Sequence, residues 1–141
     1  MIAVDTGYFY ALTDRRDAWH GRALACAALL DGEPLVTTWP VLTEACHLLA
    51  GRLGVEFATE LMADVVDGGI RVWSPPVDML ARVPPLMRKY ASLPVDLADA
   101  SLVLLAEHLG HGRILTTDTR DFGAYRWKSR RPFKNVLAEA A

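Results

Sequence analysis

The chain has 141 residues, 52% of them hydrophobic, and a formal net charge of −2. That length fits one domain spanning 1–141 around one core, with neither an internal repeat nor a low-complexity stretch. No apolar run reaches the roughly 18 residues of a membrane span, because Asp5, Asp31 and Glu44 interrupt the candidates. The beginning lacks the pattern of a secretory signal, so the expectation is a cytoplasmic protein with no membrane attachment.

Ile2 to Val4 is a short apolar run ending in Asp5 and reads as a buried strand; Gly7 and the aromatic cluster Tyr8, Phe9 and Tyr10 follow. Asp17 is a candidate cap for a helix from Ala18 to Leu30 that Gly32 ends. Leu35 to Thr37 reads as a second strand. Thr38 or Trp39 begins the next helix, because Pro40 suits a first helical position, where its missing N–H costs nothing; it runs to about Leu49. From Gly54 to Asp67, Val55, Ala58, Leu61, Met62 and Val65 recur at helical spacing, and Gly68 and Gly69 stop the pattern. Ile70 to Trp73 reads as a third strand. A helical stretch starts near Val77, is interrupted or restarted at Pro84-Pro85 and reaches Tyr90. Asp96 caps a helix to His108, with Asp99 completing a capping-box pattern. The body of that helix, LADASLVLLAEHL, is apolar nearly all round and should be largely buried. Ile114 to Thr116 is a fourth strand, a short helix covers DTRDFGAY, and Phe133 to Leu137 is a candidate fifth strand.

Short apolar strands alternating with helices predict an α/β fold, with a mostly parallel sheet of four to five strands covered on both faces. Ligands in such folds gather outside the carboxyl ends of the strands. Asp5 and Asp118 lie there, Glu44 is about one turn into the helix after the second strand, and Asp99 is in the first turn of its own helix. Acids bedded in apolar sequence repel one another and raise each other's pKa unless a cation or a proton offsets the charge. Oxygen donors without histidine suit one or two Mg²⁺ or Mn²⁺ ions. His20, His47, His108 and His111 have no zinc-like spacing, and Cys26 and Cys46 match no metal or redox motif. Each acid also has a purely structural alternative: a turn for Asp5, a cap for Asp118, the helix dipole for Asp99 and a solvent face for Glu44. Asp96 reads as a cap, and Asp121 as a cap or a group behind the ligands. The hydroxyls of Thr6 and Thr116 are candidates for orienting water or phosphate oxygens. The chemistry this set fits is metal-assisted phosphodiester hydrolysis.

Charge is unevenly spread. Arg113, Arg120, Arg126, Lys128, Arg130 and Arg131 crowd the C-terminal part, whereas Glu56, Glu60, Asp64 and Asp67 come earlier. This distribution predicts a basic, substrate-binding rim beside an acidic pocket, with Trp127 or Tyr125 available to stack on a base; a solvated basic tail is the alternative.

MIAVDTGYFYAL, Glu44 in TTWPVLTE, LPVDLADASLVLLAEHLG and ILTTDTRDF together resemble a PIN domain, and within that group the toxin of VapBC-type toxin–antitoxin pairs. The resemblance runs nearly the whole chain. It implies a three-layer α/β/α sandwich and a Mg²⁺- or Mn²⁺-dependent endoribonuclease leaving 5′-phosphate and 3′-hydroxyl ends on structured RNA such as transfer or ribosomal RNA loops. The family's acidic quartet falls on Asp5, Glu44, Asp99 and Asp118. It also implies a homodimer, a VapB-like antitoxin partner forming a hetero-oligomer, and contact with DNA only through that antitoxin. Gly7 departs from the family, where serine is frequent. A receiver domain would need an acidic pair after its first strand, and a dehalogenase-like phosphatase a D-x-D motif that Asp5-Thr6-Gly7 lacks. A catalytically weak PIN-like RNA-binding or scaffold protein is the remaining alternative.

Overall fold

Five parallel strands form the central sheet, in the order β3-β2-β1-β4-β7, where β1 is Ile2–Val4, β2 Leu35–Thr38, β3 Ile70–Trp73, β4 Arg113–Leu115 and β7 Lys134–Asn135. The structure is a computed structural model and describes residues 1–139. Because every strand pairing in this sheet is parallel, all carboxyl ends point the same way. Helices on both faces complete a three-layer α/β/α sandwich, as the strand–helix alternation predicts. No helix of the described residues is long and apolar enough to cross a membrane.

The core follows from the sequence pattern. Ile2, Ala3 and Val4 are all buried, as a central parallel strand requires. Helix α6 (Leu97–Leu109) buries Ala98 and every residue from Ala100 to Ala106 and packs against β1 and β2 as well as helices α3 (Trp39–Arg52) and α5 (Val83–Lys89). Its N-terminus carries the capping box: Asp96 accepts from the Asp99 N–H at 2.8 Å, and Asp99 accepts from the Asp96 N–H at 3.3 Å. Buried hydroxyls find partners. Thr37 donates to the Val4 carbonyl at 2.8 Å, and Thr38 and Ser101 share a hydrogen bond of 2.6 Å. Among the described residues no buried side-chain polar atom is left unpartnered.

Several elements differ from the sequence expectation. Thr6–Thr13 is a helix, α1, where the pattern showed only an aromatic cluster. Glycine and aromatics are poor helix formers, but burying Tyr8, Phe9 and Ala11 outweighs propensity. Helix α2 covers His20–Leu29, with Asp17 accepting from the Trp19 N–H at 2.8 Å, and α4 covers Val55–Val66. The stretch from Val77 opens as a 3₁₀ segment, Val77–Arg82, before α5. After α7 (Thr119–Ala124) the chain forms an antiparallel hairpin, β5 (Arg126–Trp127) and β6 (Arg131–Pro132). The expected fifth strand shrinks to Lys134–Asn135, and Val136–Glu139 turns helical as α8. Cys26 and Cys46 are free.

Leu102 is fully buried at the centre of α6, whereas Val66 at the end of α4 is 81% exposed. Leu102→Ala should therefore lower the unfolding free energy by about 2–5 kcal/mol, and Val66→Ala should stay within about 0.5 kcal/mol, both read from urea melts.

Candidate active site

Asp5 follows β1 directly and caps α1. Its Oδ1 accepts from the Thr6 N–H at 2.8 Å, its Oδ2 accepts from the Thr116 hydroxyl at 2.7 Å, and its own N–H donates to the Leu115 carbonyl at 3.0 Å. The end of β1 is thus bonded to the end of β4. Burial pushes the Asp5 carboxyl up to about 6; these two hydrogen bonds oppose the shift, and the charges of Glu44 and Asp118 add to it.

Thr116 is buried and works in both directions, since its hydroxyl oxygen also accepts from the Asp118 N–H at 2.9 Å. Asp118 caps α7 through the Asp121 N–H, 2.9 Å from Oδ1. The cap is therefore Asp118, not Asp121. Asp121 sits one turn inside, its carboxyl held above the ordinary range by burial and then by its hydrogen bond with Asp118. Asp99, half-buried in the first turn of α6, is pushed up to about 8 by burial and then by the neighbouring charge of Asp96. Glu44 is half-buried on α3.

Asp5, Glu44, Asp99 and Asp118 line one cavity of about 410 Å³ at the carboxyl edge of the sheet, together with Asp17, Asp96 and Asp121. The lining contains carboxylates and hydroxyls but no histidine or cysteine. Among the described residues, no group of three or more His, Cys, Asp or Glu side chains is disposed to hold a metal ion. Asp5, Asp99 and Asp118 each turn a carboxylate oxygen to a backbone N–H at a helix start. In donor chemistry the set suits a hard divalent cation.

The hydroxyls behave differently from one another. Thr116 ties Asp5 to Asp118, whereas the Thr6 hydroxyl turns towards the Val41 carbonyl, 3.5 Å away, so Thr6 serves the site through its backbone N–H. At Gly7 a Cβ would meet the Thr117 hydroxyl, so a larger residue there would need the Thr117 side chain to turn.

The predicted basic rim is largely dispersed. Arg113, at the amino end of β4, pairs with Glu33 at 3.0 Å. The hairpin carrying Lys128, Arg130 and Arg131 packs at that same end, where Trp127 closes against Gly112 and the Lys128 N–H donates to Glu107 on α6 at 3.0 Å. Lys128 and Arg131 flank the Trp127 ring at 5.9 and 5.4 Å. Arg126 donates to the carbonyls of Gly123, Ala124 and Tyr125 and so closes the end of α7. Of the predicted rim, Arg120, on α7 beside Asp121, remains near the acids. Trp127 and Tyr125 are buried, with the Tyr125 hydroxyl donating to the Pro94 carbonyl at 2.9 Å, so neither offers a face to a base.

Three residues escaped the sequence reading. Asn135 holds the Thr116 backbone from both sides: Nδ2 donates to its carbonyl at 2.9 Å, and Oδ1 accepts from its N–H at 3.4 Å. No sequence signal marks an asparagine for this. Tyr10 and Arg52 line the cavity, with the Arg52 guanidinium 5.3 Å from the Tyr10 ring centre. The spacing of Arg52, Leu48 and Glu44 along one helix face was the available signal.

No protein-family model matches the chain. It is 26% identical to Ribonuclease VapC26 of Mycobacterium tuberculosis over 125 residues, covering 89% of this chain and 92% of that protein. The crystal structure of Mycobacterium tuberculosis VapC20, a sarcin-ricin loop cleaving toxin, superposes with a TM-score of 0.79 at 23% identity, covering 94% of this chain and 100% of that one. Over nearly its whole length, the chain resembles the VapC-type PIN-domain ribonucleases in sequence through VapC26 and in fold through VapC20.

Proposed function

We propose that the chain is one cytoplasmic nuclease domain, a Mg²⁺- or Mn²⁺-dependent endoribonuclease toxin that cleaves a structured RNA loop to 5′-phosphate and 3′-hydroxyl ends. The observation that carries this reading is the convergence of Asp5, Glu44, Asp99 and Asp118, from four separate elements, on one cavity without a nitrogen or sulfur ligand. The resemblance to VapC26 supports the same class of activity.

In this reading Asp5, Glu44, Asp99 and Asp118 hold one or two ions. The chemistry such ions supply is Lewis-acid activation of water and offset of the charge gathering on the phosphate. Thr116 orients two of the ligands at once through its bonds with Asp5 and the Asp118 N–H. Asp99 and Glu44, carried into the cavity by α6 and α3, are the acids that would accept the proton of the attacking water. Water oxygen would join phosphorus, the bond from phosphorus to the 3′ oxygen would break, and that oxygen would take a proton from solvent water and leave as the hydroxyl.

Two apolar surfaces support the partners that the reading implies. A cavity of about 420 Å³ is lined by Phe9, Leu12, Leu30, Phe57 and Leu61, with Asp31, Glu60 and Asp64 also in its wall. It suits a basic amphipathic segment of a VapB-like antitoxin, through which any DNA contact of the hetero-oligomer would pass. Trp39, Val77, Leu80 and Leu97 are exposed where α3, the 3₁₀ segment and α6 begin, a surface suited to a homodimer.

Manganese-dependent cleavage of total cellular RNA tests the activity. Asp99→Asn should lower kcat about 10²–10⁴-fold, and Asp5→Ala and Asp118→Ala should abolish cleavage with the fold retained by circular dichroism. Equal cleavage by the parent and Asp99→Asn would leave the scaffold reading instead.

Metal-free stability gives a second test. Asp5 and Asp99 stand at about 6 and about 8 against an ordinary 3.8. Between pH 4 and 8 the folded chain therefore binds more protons than the unfolded one, and their contribution to stability falls as pH rises. In chelator, the melting temperature should drop from pH 5 to pH 8. Mn²⁺ should restore it, most strongly at pH 8, and Asp99→Asn should flatten the upper half of the decline. A metal-free melting temperature that rises across this window would contradict the raised proton affinity of buried Asp5 and Asp99.

A further inference from the structure

The acid cavity poses a problem for any polyanion, because seven carboxylates line it: Asp5, Asp17, Glu44, Asp96, Asp99, Asp118 and Asp121. Arg52 is the one cation in that lining among the described residues. It occupies the last turn of α3, on the same helix stripe as Glu44 and Leu48. Eight residues of α-helix separate it from Glu44, ~12 Å of rise.

Despite its surroundings, Arg52 forms no salt bridge among the described residues. It lies instead over the Tyr10 ring, 5.3 Å from its centre. That ring is itself anchored, since the Tyr10 hydroxyl donates to Asp14 at 2.7 Å and Asp14 accepts from the Arg16 N–H at 2.9 Å. A guanidinium held over an aromatic ring carries five N–H donors in a fixed fork that matches phosphate oxygens bidentately.

We propose that Arg52 is a substrate-binding residue whose guanidinium, shelved on Tyr10, takes a backbone phosphate of single-stranded RNA one or two nucleotides from the cleaved bond. The inference rests on the endoribonuclease reading for the identity of the strand, and it places the anchoring charge on α3 rather than on the basic hairpin. Its structural alternative is a favourable cation at the C-terminus of α3, which lysine would serve equally well.

Anisotropy of a fluorescent single-stranded RNA oligonucleotide in Mg²⁺ tests this, with the full chain carrying Asp99→Asn to block turnover, alone or with Arg52→Ala or Arg52→Lys. Arg52→Ala should weaken binding about tenfold, the scale of one charge-assisted contact. It should also reduce the slope of log Kd against log salt by about 0.7, the value for one phosphate contact on a single strand. Arg52→Lys should keep the slope and lose part of the affinity. Lys128→Ala, at the far end of the sheet, should change neither. An unchanged slope in Arg52→Ala overturns the proposal, whether affinity holds or falls together with the melting temperature. Absence of cleavage by the parent would count against the nuclease reading and leave this binding result to be judged by itself.

Discussion

The site depends on keeping a carboxylate inside the protein at the seam between two strands. Asp5 is 8% exposed, and an unpaired carboxylate there would be costly. One oxygen is satisfied from its own side by the Thr6 N–H, the other from across the sheet by Thr116. The second bond matters more for shape. Thr116 passes the constraint on to Asp118 through that residue's N–H, and Asn135 fixes Thr116 from behind. A chain of hydrogen bonds from β1 through β4 to β7 therefore sets the positions of two acids.

The other two acids are placed by helices. Asp99 stands where the capping box of α6 puts it, and the apolar body of that helix cannot rotate without exposing leucines. Glu44 rides on α3, whose Val41, Leu42, Ala45 and Leu49 face the core. Burial thus orients the carboxylates at the expense of raising the proton affinity of Asp5 and Asp99. Carboxylate placement and charge accumulation are two results of the same packing.

Positive charge is organised on a different principle. Most of the basic C-terminal residues brace the fold: Arg113 pairs with Glu33, Arg126 closes α7, and Lys128 and Arg131 lie on the Trp127 ring. The cations left close to the acids are Arg120 and Arg52, which come from segments far apart in sequence. A positive run in the sequence was thus a poor guide to where positive potential lies.

Local signals determined much of the fold. The apolar triplet before Asp5, the proline at the start of α3, the Asp96–Asp99 capping box and the alternation of strands with helices are all short-range patterns, and the parallel sandwich follows from them. The acids were legible for the same reason, since a carboxylate in apolar sequence is conspicuous wherever the chain later goes. Tertiary structure decided what depends on contacts between distant residues. Helix α1 forms against propensity because Tyr8 and Phe9 are buried, Gly7 makes room for the Thr117 hydroxyl, and Asn135 acts as a backbone partner for Thr116. The hairpin folds back to the amino end of β4 and carries its cations away from the acids, while Tyr10 and Arg52 meet across α1 and α3. Such pairings depend on which surfaces the packed layers bring together, and no periodicity or spacing along the chain encodes them.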